Sequence, residues 1–249
     1  MLLAGGVGEG DAVVAEAEGL LPEEGRSVPV ALPLAREGAV ALTLPDGQRI
    51  AVLGGGSGSA LEAEVPLLRF EDGRFVAAGA PLRLQQPRSH AAVAPFAAGE
   101  RALVLGGFDR AAEAGAAGNP LATSELLPLE PGAAAAPAAN VGARGDLCAV
   151  RLPDGRVLTV GGRSAPPGEP PRSSGAAELI VAPASTLGTQ LPVVLGMPRL
   201  AAGRWAHTCT LLPDGTVLVA GGLRDERTLD GPVLQVLPEL LLFTPAPLD

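Results

Sequence analysis

The 249-residue sequence predicts an all-β protein: a propeller of about five blades, each a small sheet of four antiparallel strands. Three observations carry that prediction. An apolar run closing on Gly-Gly recurs along the chain, an Arg-to-Gly interval repeats inside the same unit, and Gly and Pro are too dense for long helices.

The Gly-Gly element occurs five times, as Leu2–Gly6, Ile50–Gly55, Leu103–Gly107, Val157–Gly162 and Val217–Gly222. Successive copies are 49, 52, 55 and 60 residues apart, room for four short strands and their turns. A fixed period of this size is the mark of a repeat architecture. The second element precedes four of these copies. Arg36, Arg88, Arg144 and Arg204 are each followed eleven residues later by Gly47, Gly99, Gly155 and Gly215. Three of those glycines end a Pro-Asp-Gly triplet, at 45–47, 153–155 and 213–215. Pro presets φ, Asp bonds its own backbone and Gly accepts φ > 0, so the triplet turns one strand into the next. The remaining copy has Phe96-Ala97-Ala98-Gly99 instead. A third element follows each Gly-Gly after a loop, a Glu leading an apolar run: Glu64, Glu125, Glu178 and Glu239, with a weaker first copy near Glu16 or Glu18. A fourth strand is expected at Ser27 to Ala31, Arg74 to Ala78 and Gln190 to Leu195. Four strands repeated radially limit exposed sheet edges.

The 34 Gly and 25 Pro exclude long helices, and without a Gly-X-Y period they exclude collagen. The 47% of hydrophobic residues is ample for a core, though it holds five Phe, one Trp and no Tyr, so close packing of small aliphatics must fill the blades. Net charge is −9 with no Lys, which sets the surface against nucleic acid. The Arg- and Ala-rich composition points to a GC-rich bacterial genome. No run of 18 apolar residues appears, so no membrane span is expected, and residues 1–6 carry no signal-peptide pattern. Cys148 and Cys209, 61 residues apart, read as two small buried hydrophobes in preference to a disulfide.

The segment Arg204–Gly222 with Glu239–Pro245 resembles the kelch repeat, whose unit runs from an Arg-containing inner strand through a turn to a Gly-Gly strand and a Val-Glu-Leu-type strand. The resemblance covers essentially the whole chain. It implies a single propeller domain over 1–249, with repeats at about 1–35, 36–87, 88–143, 144–203 and 204–249. The chain departs from the family in lacking Tyr and in keeping only Trp205 of the rings that pack between blades. One inner and one outer strand have no source in the sequence. That leaves a ring with a three-stranded blade, or a truncated fragment of a longer exported kelch protein, as the expectation. Family analogy favours an extracellular or cell-envelope location.

Kelch-like propellers include copper oxidases that need Tyr ligands, and the absence of Tyr excludes that chemistry on inventory. No nucleophile elbow or metal-ligand spacing is present, and His90 and His207 lie in different units. Gly54–Ser59 resembles a phosphate loop but lacks the Lys and leads to no helix, so it reads as an inter-strand loop. No cofactor, metal or catalytic residue is assigned. The four repeat arginines, Arg36, Arg88, Arg144 and Arg204, have two readings. They ring a channel mouth as a funnel for carboxylates, or each ties down its own blade through a Glu or loop carbonyls. Adding His90, His207 and Trp205 gives the candidate binding set, with a protein or an acidic, carboxylate-bearing ligand as partner. The loops after Gly-Gly, 56–63, 108–124, 163–177 and 223–238, are the other candidate recognition surface. The expected function is an interaction scaffold. The alternative is a lyase, epimerase or hydrolase built on Arg88, His90, Asp146, Arg204 and His207. Oligomeric state is not legible.

Overall fold

The Pro-Asp-Gly triplets fold as tight turns. Gly47, Gly155 and Gly215 each donate their amide to the carbonyl of the Leu three residues back, at 2.9, 3.0 and 3.0 Å. These glycines have φ of 67°, 90° and 86°, and each Asp Oδ1 accepts an amide from two residues on. Strands therefore enter and leave each turn in fixed register.

A computed structural model of the chain describes residues 2–4, 16–21, 25–31, 36–57, 60–72, 74–96, 99–110, 118–166, 169–182, 191–228 and 231–245. It is an all-β propeller-like array, with no α-helix among the described residues. The first sheet holds Leu2–Ala4, Glu16–Leu21 and Arg26–Ala31. The second runs Glu37–Thr43, Arg49–Ser57, Leu67–Glu71 and Arg74–Ala77, with Ala60–Leu61 added beside the long strand. The third is Ala92–Phe96, Arg101–Leu105, Ser124–Pro128 and Ala136–Pro137. The fourth is Cys148–Arg151, Val157–Val160, Ala177–Val181 and Val193–Met197, and the fifth Thr208–Leu211, Val217–Ala220 and Leu240–Phe243. All these pairings are antiparallel, and neighbours in sequence are neighbours in the sheet.

Apolar cores lie between successive sheets. Leu53, Leu67 and Leu82 of the second unit meet Ala102, Val104 and Leu127 of the third. Leu103, Leu105 and Phe96 face Leu147, Val157 and Ile180 on the other side. Leu158, Val160 and Leu179 then meet Val217 and Val219 of the fifth. Because neighbours along a strand point to opposite faces, a sheet covered on both faces needs an unbroken apolar run. Ala102–Leu105 is such a run, and Val157–Val160 is one but for Thr159, whose hydroxyl accepts from Arg144 Nη2; both are buried at every position. In Val217–Ala220 burial alternates, and Leu240 and Leu242 are exposed. One face of the fifth sheet is thus covered and the other open among the described residues.

Three expectations are corrected. Cys148 and Cys209 form a disulfide, with Cα atoms 5.9 Å apart, and so are not free thiols. They sit on neighbouring inner strands of the fourth and fifth sheets, where a one-blade separation in sequence becomes contact in space. The segment read as a loop after Gly222 is largely a hairpin, Leu223–Thr228 paired with Gly231–Val236. Its charged run Arg224–Arg227 concealed the strand, since no apolar alternation marks it. Gly54–Gly56 lie within the strand Arg49–Ser57 and not in a loop, while Gly58 and Ser59 fall outside the described residues.

Candidate functional site

Each repeat arginine precedes an inner strand, and its side chain turns into the unit it begins. Arg36, Arg88, Arg144 and Arg204 are 5%, 0%, 1% and 2% exposed. Nη1 of each donates to the first carbonyl of that unit's Gly-Gly: Gly54 at 3.2 Å, Gly106 at 2.8 Å, Gly161 at 2.9 Å and Gly221 at 2.9 Å. It also donates to a carbonyl entering the third strand, that of Glu64, Thr123, Ala176 or Glu239. The four glycines have φ between 58° and 65°, and Gly106, Gly161 and Gly221 lie just past the end of the second strand, where an outside donor is needed. The guanidinium supplies it. The arrangement matches the reading in which each arginine ties down its own blade, and the buried groups line no open funnel.

The Glu-led runs are not equivalent in register. Glu125 pairs with Val104 and Glu178 with Thr159, each two residues before the Gly-Gly. There Glu125 Oε1 meets Arg88 Nη2 at 2.5 Å, and Glu178 Oε2 contacts Arg144 Nη2. Leu241 holds the corresponding place opposite Val219, and Pro66 that opposite Val52. Glu64 and Glu239 come two residues earlier and meet their arginines through backbone carbonyls. A shift of two keeps the same face of the strand, so the sequence pattern cannot separate these cases. Burial pushes the pKa of Arg88 and Arg144 down, and the paired carboxylates oppose it.

Two residues past each arginine, the backbone turns left-handed: Gly38, His90, Asp146 and Ala206 have φ of 63°, 52°, 53° and 52°. For residues other than Gly this costs about 1–2 kcal/mol. The cost secures a backbone contact between units. His90 N donates to Gly38 O at 2.7 Å, and Asp146 N to His90 O at 2.9 Å. Side chains at these positions emerge together at one end of the inner strands.

That end carries the candidate site. Arg163 Nε and Nη2 both reach Asp146 Oδ2, at 2.7 and 2.5 Å. The guanidinium stacks 4.4 Å from the Trp205 ring centroid and 5.2 Å from that of Phe108. His90 Nε2 lies 3.9 Å from Asp146 Oδ1, and its ring meets Phe108 edge-on at 6.1 Å. The groups come from three successive units. Phe108, Arg163 and Leu223 each follow a Gly-Gly and bridge to the residue after the repeat arginine: Ser89, Gly145 and Trp205. A Cβ on Gly145 would lie 2.1 Å from Cε2 of Phe108, so glycine there admits the ring. His90 Nδ1 and Trp205 Nε1 are buried without a protein partner.

Of the residues named from sequence, His90 and Trp205 meet in this cluster with Asp146. The four arginines lie beneath it. His207 lies deeper too, with Nε2 3.2 Å from Val160 O. Burial first, and then the charge of Arg204, push its pKa down to about 4. A ring nitrogen of His207 and the sulfurs of Cys148 and Cys209 lie within 4.8 Å of one another. Phe108 and Arg163 were missed. Their shared place after Gly-Gly was the available signal, because the other units put Gly56 and Leu223 there.

No protein-family model matches the sequence, and no curated protein matches it. Among solved structures, one titled "Structure of YjhT" superposes with a TM-score of 0.68 at 13% identity, covering 94% of this chain and 80% of that one. At that identity the likeness establishes the propeller-like fold alone.

Proposed function

We propose that the protein is an interaction propeller of the kelch type, one domain over its five repeats, holding a partner at the end of the inner strands. The observation that carries this reading is the His90–Asp146–Arg163–Trp205 cluster. Its members come from three units and include two non-glycine residues held at positive φ. Backbone strain of this kind concentrates at binding and active sites. The blades are closed by the buried arginines and apolar cores, so the cluster is not needed to hold a sheet together.

The partner we infer is a protein or small ligand presenting a carboxylate. Arg163 spends two donors on one oxygen of Asp146, and a second carboxylate meets its remaining fork edge-on. Trp205 and Phe108 fix the guanidinium plane in advance, which lowers the ordering cost of binding. His90 Nε2 stands 3.9 Å from Asp146 Oδ1, outside hydrogen-bonding range, so the pair leaves both groups open to a partner. Arg36, Arg88, Arg144, Arg204 and His207 support the site from below.

Calorimetric titration with a panel of dicarboxylates and acidic peptides, against matched amides, tests the reading. Carboxylates bind and amides do not. Arg163→Met weakens the binding roughly tenfold or more while the protein stays folded. Equal binding of acids and amides, or no loss in Arg163→Met, refutes it.

A further inference from the structure

We propose that reduction of the Cys148–Cys209 disulfide opens a buried site for a thiophilic d10 cation, Cu(I), held by both thiolates and by His207. The two sulfurs and a ring nitrogen of His207 all lie within 4.8 Å of one another, across the boundary of the fourth and fifth units. Cys148 is held opposite Val160 and Cys209 opposite Val219, so the donors sit on paired strands and not on loops.

The imidazole has one ring nitrogen free to bind. His207 is 8% exposed, and its Nε2 faces the carbonyl of Val160, which can only accept. Nε2 therefore carries the proton, and the lone pair lies on Nδ1, buried and without a partner. A ring nitrogen fixed by a backbone carbonyl while the other is left to bind is the usual arrangement of a metal-ligating histidine. Gly161 and Gly222 make room: a Cβ on Gly161 would stand 2.5 Å from Cε1 of the ring, and one on Gly222 2.9 Å from His207 Cβ. Both cysteines also pack against the apolar core between the two sheets.

Two thiolates and one imidazole satisfy Cu(I), a soft ion content with three ligands, whereas Zn(II) calls for a fourth. Among the described residues the cluster contains no fourth His, Cys, Asp or Glu. The disulfide and the metal exclude each other. A dithiol reductant gives two electrons and two protons to the S–S bond and closes to its own disulfide, leaving two protein thiols. Binding of Cu(I) then forms two S–Cu bonds and one N–Cu bond and releases both thiol protons to solvent.

The test uses the full chain, reduced with dithiothreitol, desalted without oxygen, and titrated with Cu(I) supplied as its bicinchoninate complex. One Cu(I) per chain leaves the chromophore for the reduced protein, and none leaves it for the disulfide form, which serves as a fully folded control. His207→Gln weakens uptake by roughly tenfold or more. Equal uptake by the oxidised chain, undiminished uptake by His207→Gln, or preference for Zn(II) over Cu(I) in competition overturns the assignment.

Discussion

Arg88 and Glu125 form an ion pair that is 0% and 3% exposed, with 2.5 Å between Nη2 and Oε1. Glu125 accepts in addition the amides of Gln85 and Gln86, at 2.8 and 3.0 Å, and Arg88 donates to the carbonyls of Gly106 and Thr123. Arg88 is thus met within its own unit, and Glu125 also by two amides at the end of the preceding one. Removing one partner leaves the other buried and unmatched, so Arg88→Met costs about 3–5 kcal/mol in urea denaturation. The double variant Arg88→Met/Glu125→Leu loses less than the sum of the single changes. A loss below about 1 kcal/mol in Arg88→Met contradicts the role given to the pair.

Stability falls with acid through His207. Its pKa in the fold is about 4 against 6.5 for the free side chain, so between those values the unfolded chain binds more protons. The contribution is complete above pH 6.5 and disappears as pH falls towards 4, amounting to at most about 3 kcal/mol. Chemical denaturation across that window shows the slope in the wild type and loses much of it in His207→Gln. An unchanged slope in the variant assigns it to other groups.

Ala206 sits at φ 52° with an exposed side chain. Glycine takes that conformation freely, so Ala206→Gly raises stability by about 0.5–1 kcal/mol despite the entropy glycine adds to the unfolded chain. Thermal unfolding measures it, and a lower Tm contradicts the strained backbone.

Reduction of the disulfide releases a loop of 61 residues. In the chain-entropy account it lowers stability by about 4 kcal/mol. Urea midpoints with and without dithiothreitol give the difference. Identical midpoints would show that the cross-link does not constrain the unfolded chain.

What was legible in the sequence were the features set by backbone geometry. Gly47, Gly155 and Gly215 had to be glycine for their turns, and Gly106, Gly161 and Gly221 for left-handed backbone after the second strand. The eleven-residue step from each arginine therefore survived compositional drift. Relations between units were not legible. Glu239 and Glu125 look alike in sequence, yet a two-residue shift puts Leu241 where Glu125 stands. Cys148 and Cys209 lie four and five residues after their arginines, a place that becomes meaningful only once adjacent inner strands touch. Phe108 and Arg163 acquire their roles from a ring in one unit and a carboxylate in another.

Trp205 is the sole tryptophan and lies against Arg163, so its fluorescence reports on the proposed site without a label. Titration of the wild type with a carboxylate-bearing partner shifts and saturates Trp205 emission at the affinity found by calorimetry, and Arg163→Met abolishes the shift. A partner that binds at full affinity while Trp205 emission stays constant would place recognition elsewhere on the propeller.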